Sequence, residues 1–436
     1  MIIKKYILKH MDYTLGKFFM EGQQTINAIF YKSTFNHLPL PLKRLIHNKN
    51  EFTDLNKENC DEWYINEDGG FLIDAWLMDR AIPTNRDNYK KYIERGKTPK
   101  SWMFDNHGFS FIDNYWFYDE NENITWEQIK EIRNDKDEYY SVNQNIEDNI
   151  VHYKGHNSTL GGQLEKFWYN QNNELYLCKK VDKPYQILNA REIIASLIYN
   201  KQGYPACKYN FVLDHENEIV GCTCKAFTDE NIELVTAYEL LEEYNLTQQD
   251  DVYELICELA GREGIDAQIV SDYMDIQTIV DFLITNRDRH EGNIGFLRDT
   301  NTLKFLMPAP IYDSGSSKHM EGQFPETAKD TTINGLYSTE LECLNHVKNF
   351  KLINIDKLPN EKEILQILDK CDYIPNKRKD KFLNLYREKI QYLRELQLTR
   401  PIQNVPIYTE NMLAKYGYSS LDEKNIDLDN EDEIIK

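Results

Sequence analysis

Long apolar runs are missing from this chain. Nowhere do about eighteen apolar residues follow one another, the length a bilayer-spanning helix needs. The N-terminal "MIIKKYILKHMDYTLGKFF" starts weakly basic but has no apolar core of signal-peptide length. Positive charge is also short: Lys and Arg number 51 against 72 Asp and Glu, a formal charge of -21. A chain this acidic is repelled by phosphate backbones and anionic lipids, which argues against direct nucleic-acid and membrane binding. The 8 cysteines are scattered, which suits reduced thiols rather than a disulfide framework. Only Cys222 and Cys224 are close; without a second Cys or His pair, Cys-Thr-Cys reads as two small buried side chains on one strand face rather than a zinc site. No internal repeat and no Gly-x-Ser-x-Gly elbow occur, so a nucleophilic triad has no support. Together these absences place the expected protein in the cytoplasm.

What is present is a chain of 436 residues, 41% apolar, enough for two or three domains around a sizeable core. Residues 1–135 are aromatic-rich, as in "FSFIDNYWFYDENENITWEQI", and predict an accessory module. A polar linker over 136–150 follows. "KFWYNQNNELYLCKKV" predicts a hairpin, with Leu175, Leu177 and Lys179 on one face and Tyr176, Cys178 and Lys180 on the other. "NAREIIASLIYNKQG" predicts a helix from near Asn189 to Gly203, and "KYNFVLD" and "EIVGCTCKAF" a second strand pair. Downstream the periodicity is helical in "ELVTAYELLEEYN", "DVYELICELAGR", "DIQTIVDFLITN" and "KRKDKFLNLYREKIQYLREL". The expected fold class is therefore α+β: a β-rich lobe over 151–230, a helical lobe over 231–400, and an acidic tail over 401–436.

Four constellations carry chemistry. In "HNSTLGGQLEKFW", Gly161 and Gly162 lie beside Ser158, Thr159, Leu160 and Gln163, and paired glycines let backbone N–H groups approach a phosphate. Lys179 stands in an apolar strand with Glu192 thirteen residues on, in the first turn of a helix. A half-buried lysine needs an anionic partner, and kinase-like sites use a helical carboxylate for it; Lys180 offers the opposite face. In "DFLITNRDRHEGNIGF" the apolar helix stops near Thr285, and Asp288 and Asn293 are separated as in an Asp-x-x-x-x-Asn catalytic loop. His290 reads as a brace within that loop. In "PIYDSGSS", Asp313 follows two apolar residues, twenty after Asn293, and is a hard ligand suited to magnesium. A metal hydrolase centred on Asp288, His290 and Glu291 ranks lower, because no second histidine cluster accompanies it.

In this order the four pieces resemble the HipA-like kinases, bacterial proteins with a two-lobed protein-kinase-like fold. "STLGGQ" is similar to the family's Ser-x-x-Gly-x-Gln loop, "NRDRHEGN" to Asn-x-Asp-x-His-x-x-Asn with Asn286 displaced by one position, and "PIYDSGSS" to its apolar-aromatic-Asp segment. The resemblance spans about His152 to Leu396; where the family usually has a lysine two residues after the glutamine, this chain reads "LEKF", with Glu165 and Lys166. It implies ATP and Mg²⁺ as cofactors and Asp288 as catalytic base. Asn293 and Asp313 would hold the metal, Lys179 the phosphates with Glu192 as its partner, and the 158–163 loop with His290 would flank the nucleotide. Ser158 would be the autophosphorylation candidate. It further implies a protein substrate with a Ser or Thr hydroxyl and a small antitoxin partner. Two alternatives stay open: an ATP-binding pseudokinase scaffold, and a kinase-like enzyme acting on a lipid or small molecule or by nucleotidyl transfer.

Overall fold

A computed structural model gives the architecture. It describes residues 2–54, 61–84, 86, 89, 98–134, 162, 164–171, 174–214, 216–247, 249–318, 327 and 332–404. The 136–150 stretch and most of the acidic tail, 405–436, lie outside the described residues.

The N-terminal region is an antiparallel sheet of β1 (Ile3–His10), β2 (Tyr13–Glu21), β3 (Gln24–Tyr31), β4 (Glu62–Ile65) and β5 (Tyr115–Asp119), in the order β4-β3-β2-β1-β5. Alternation along these strands sends Leu8, Phe18, Met20, Ala28 and Phe30 to one buried face. The Glu67–Arg80 helix covers that face, its first turn capped by the Asn66 side chain accepting from the Gly69 amide. At Gly70 a Cβ would stand 2.3 Å from the Thr25 carbonyl oxygen, so glycine lets helix and strand touch backbone to backbone. A second aromatic core, with Phe109, Phe111, Trp116 and Trp126, is shared with Phe167, Trp168 and Val212 of the next lobe.

That lobe is a four-stranded antiparallel sheet, β6 (Lys166–Gln171), β7 (Glu174–Lys180), β9 (Ile219–Lys225) and β8 (Asn210–Leu213) in that order, with the Gln186–Gln202 helix packed on it. The expected order of strand, strand, helix, strand, strand is what the chain adopts. The helix begins at Gln186 rather than near Asn189, because the tight turn Lys183–Tyr185 feeds straight into it; Gly203, with φ +81°, ends it. Leu188, Glu192, Ala195 and Tyr199 recur at helical spacing and all are buried, so one carboxylate sits in an otherwise apolar seam.

The helical lobe differs from the sequence expectation at its start. "ELVTAYELLEEYN" divides into β10 (Ile232–Thr236) and the Ala237–Glu243 helix. β10 pairs with β11 (Gly295–Asp299), which pairs with β12 (Phe305–Pro308), and this sheet pairing overrides the helical period. Thr236 then caps the helix reciprocally with Glu239. The Ala267–Ile284 helix runs buried through the lobe and ends at Thr285 in the left-handed region, φ +58°. Thr285 is held from below by Lys389 of the Asn376–Thr399 helix, 3.0 Å away, whose ammonium also meets both oxygens of Glu340 at 2.8 Å. No helix among the described residues is long and apolar enough to cross a membrane.

Candidate active site

A cavity of about 640 Å³ lies between the lobes. Lys179, Asp288, His290, Asn293 and Asp313 all line it, as does Gly162. Ser158, Thr159, Leu160, Gly161 and Gln163 lie outside the described residues. Pro41, Trp76, Asp79 and Arg80 of the N-terminal region form part of the same wall. Arg80 is fixed there by Asp113, 2.6 and 3.0 Å from its two terminal nitrogens.

On β7 the side chains alternate, so Lys179 turns into the cavity while Lys180 turns away toward Glu165, 3.7 Å off. The Lys179 ammonium meets Glu192 Oε1 and lies 2.7 Å from Asp313 Oδ1 and 4.9 Å above the Tyr209 ring. Glu192 is held in turn by the Ser314 amide, 2.9 Å from Oε2. Burial works against the Lys179 charge, but Asp313 and Glu192 together raise its pKa well above the ordinary lysine value.

Asp313 adopts φ +54°, an unusual conformation for a residue with a side chain. Burial pushes its carboxyl up, and the Lys166 and Lys179 ammoniums more than reverse this, holding it well below the carboxylate range. Lys166, on β6, reaches within 3.5 Å of Asp313 Oδ2. Its pKa is lowered, first by burial and then by Lys179 and Arg86 against the pull of Asp313.

The two loops are joined by Arg289. Its guanidinium binds both oxygens of Asp281 (2.7 and 3.1 Å) and donates to the carbonyls of Asn293 (2.7 Å) and Tyr312 (2.6 Å) and to Ser314 Oγ (2.9 Å). Such a bidentate, multiply satisfied arginine fixes geometry more than it adds stability. The Asn293 amide nitrogen donates to the Asp288 carbonyl at 2.9 Å. Asp288 Oδ1 accepts from Asn334 at 2.8 Å, and burial raises the Asp288 pKa above the ordinary value, with Asp313 acting in the same direction. His290 caps the turn Glu291–Asn293 by accepting from the Gly292 amide through Nδ1, 3.1 Å.

Sequence reasoning gave Asp281, Arg289 and Asn334 no part in the site, and named Lys166 only where the chain departs from the family's lysine position. Asn334 lies 46 residues from its partner, and no local pattern signalled it. The side-chain oxygens of Asn293 and Asp313, both on the cavity lining, are hard donors of the kind magnesium takes. No cluster of three or more His, Cys, Asp or Glu suited to a metal occurs among the described residues.

No protein-family model matches the chain. The chain is 28% identical over 222 residues to the serine/threonine-protein kinase CtkA of Helicobacter pylori, a match covering 48% of this chain and 64% of that protein, short of two thirds of its length. The crystal structure of the H. pylori proinflammatory kinase CtkA aligns over 56% of this chain and 95% of its own, at 23% identity and a TM-score of 0.41. HipA of Shewanella oneidensis MR-1, solved with HipB and operator DNA, aligns over 91% of this chain and all of its own (TM-score 0.52, 12% identity). That likeness concerns the fold, and it extends over the N-terminal sheet as well as the two lobes. In sequence the chain is thus similar to a serine/threonine-protein kinase over about half of its length, and in fold it is similar to HipA.

Proposed function

We propose that this protein is a serine/threonine kinase that transfers the γ-phosphoryl group of ATP to a protein hydroxyl with Mg²⁺. The observation that carries the reading is the convergence of Lys179, from the β-rich lobe, on Asp313, from the helical lobe, with Asp288 and Asn293 on the same cavity wall. When bound, ATP·Mg supplies the phosphoryl group and the cation that offsets its charge. Lys179, kept charged by two carboxylates, binds phosphate oxygens, and Glu192 stops it from swinging away. Asn293 and Asp313 present the oxygens that hold the metal. Asp288, its proton affinity raised by burial, accepts the hydrogen bond of the attacking hydroxyl and takes its proton. Asn334 fixes the rotamer in which it does so. The 158–163 loop would cover the phosphates with His290 at its flank, and Ser158 is the site we assign to autophosphorylation. Most of the rate enhancement would come from positioning and charge complementarity.

We further propose a protein substrate and, by likeness to HipA with its HipB, a small DNA-binding partner. The charge of -21 would leave any DNA contact to that partner.

The test is incubation of the protein with γ-labelled ATP, Mg²⁺ and a cell lysate, alongside Asp288→Asn. We expect labelled protein with the wild type and a loss of roughly 10²- to 10⁴-fold in the variant, the span a positioned base contributes, with nucleotide binding retained. A nucleotide-induced thermal shift without labelled product would instead identify a scaffold, and label arriving from the α-phosphate a nucleotidyl transferase.

A further inference from the structure

Lys166 holds a place that the kinase reading leaves without a task. On β6 it stands directly across from Lys179 on β7, so two ammoniums leave neighbouring strands on the same face. Like charges set opposite each other on a sheet repel, and here both reach for one carboxylate, Asp313. They reach it unequally. Lys179 lies 2.7 Å from Oδ1 and is also held by Glu192. Lys166 lies 3.5 Å from Oδ2, and among the described residues Asp313 is the one carboxylate within ion-pair distance of it.

The Lys166 ammonium also lies against backbone. A Cβ at Gly162, where φ is +87°, would stand 2.7 Å from Nζ, so a glycine there leaves the room the ammonium fills. The Gly162 carbonyl accepts in turn from Arg86 Nε at 3.2 Å. Lys166 therefore bridges the end of the glycine-rich segment and the Asp313 carboxylate, on the wall of the cavity. Lys166, Lys179, Glu192 and Asp313 together carry no net charge. A divalent cation entering alone would bring two uncompensated positive charges to a carboxylate that already has two ammoniums. A cation entering with a polyphosphate brings negative charge in excess, and gives the loosely held ammonium another anion to meet.

We propose that Lys166 is the resident counter-ion of Asp313: its ammonium occupies Oδ2 until a nucleotide polyphosphate draws it away, so that the divalent cation binds together with nucleotide and not before it. Lys179, tied to Glu192, stays in place during the exchange, and Lys166 moves. The polyphosphate half of this inference rests on the proposed function; the competition between ammonium and metal for Asp313 does not.

Mn²⁺ binding to the full-length protein is titrated by electron paramagnetic resonance without nucleotide. Binding of the ATP analogue AMP-PNP is measured by calorimetry, first in EDTA and then with Mg²⁺. We expect Lys166→Met to bind Mn²⁺ alone about tenfold or more tightly than wild type, and AMP-PNP in EDTA about tenfold more weakly. Lys166→Gln, which keeps a polar group at the position, should shift both affinities the same way. Asp313→Asn in the Lys166→Met background should abolish the Mn²⁺ gain. A lysine that merely supported the strand would not move the two affinities in opposite directions. If neither Lys166 variant binds Mn²⁺ more tightly than wild type, while wild type binds AMP-PNP with Mg²⁺, the proposal fails and the kinase reading stands. Unchanged AMP-PNP affinity in EDTA would overturn the transfer of the ammonium to phosphate. If the Mn²⁺ gain appears but wild type binds no AMP-PNP under either condition, the kinase reading fails, and Lys166 stands as the counter-ion of a metal carboxylate alone.

Discussion

Two buried charge networks in this molecule use similar residues for different ends. Between the N-terminal sheet and the helical lobe, Glu233 on β10 accepts from Arg298 Nε at 2.7 Å and lies 3.2 Å from His10 Nε2, while Arg298 also donates to the Tyr115 hydroxyl at 3.0 Å. Its side chains are closed to water, with Glu233 and His10 at 0% exposure and Arg298 at 3%. In the cavity, Lys179 and Glu192 are as deeply buried, but the Asp313 side chain keeps 29% of its surface and Lys166 keeps 12%. The first network is satisfied from every side and holds two parts of the chain together. The second has one carboxylate facing open space, able to exchange an ammonium for another cation. Burial makes a charge pair permanent; the exposed oxygen makes it usable.

The comparison predicts opposite outcomes for mutations of similar size. Asp313→Asn should abolish magnesium-dependent ATP binding and phosphoryl transfer, by about a thousandfold or more, yet leave the chemical denaturation midpoint nearly unchanged, because Lys179 keeps Glu192. Equal magnesium-dependent affinity in variant and wild type would remove Asp313 from the metal site. Arg298→Met should do the reverse. It leaves Glu233 buried with only His10 beside it, and breaking one side of such a pair costs about 3–5 kcal/mol, readable as a lower denaturation midpoint. At temperatures where the variant remains folded, nucleotide affinity should match the wild type. A variant of unchanged stability would show that the His10 contact alone suffices and that the two networks do not differ as described.

The two regions also differed in how much could be read from residues alone. Lys179, Asp288, Asn293 and Asp313 stood out because each breaks a local pattern, as a lysine in an apolar strand, polar residues ending an apolar helix and an aspartate after two apolar residues; Glu192 stood out by its spacing from Lys179 near a helix start. Arg289 did not, since an arginine beside an aspartate suggests a surface pair with Asp288, whereas it turns inward to Asp281, eight residues back on the preceding helix. β10 was hidden by its own periodicity, which a helix shares; only its pairing with β11, some sixty residues on, decides it. The N-terminal region was read as an aromatic-rich accessory module without its sheet, because β1 closes that sheet by pairing with β5, more than a hundred residues away. No local pattern encodes a pairing at that distance.

The smallest predicted effect tests the closed network at its edge. His37 lies 3.0 Å from His10, with Tyr13 stacked on its ring at 3.9 Å. Burial, with help from His10, lowers its pKa to about 4, below the value of about 6.5 in an unfolded chain. Between those values the unfolded chain binds a proton that the folded chain refuses, so this contribution is complete above pH 6.5 and is lost as pH falls toward 4. Because His37 is only half-buried, solvent screening should reduce the effect between pH 7 and pH 5 to about 1 kcal/mol. Glu233 follows at lower pH. Burial raises its carboxyl, Arg298 and His10 bring it down to about 2, and its contribution disappears between pH 4.5 and 2. Asp275 acts in the opposite sense. Burial raises it to about 6, so the folded chain binds its proton first and gains stability as pH falls below 6. The measurement is therefore a difference: denaturation midpoints of wild type and His37→Phe at pH 7 and pH 5, with the wild type losing more on acidification. Parallel slopes would mean that His37 titrates as it does in water, and that the closed network ends at His10.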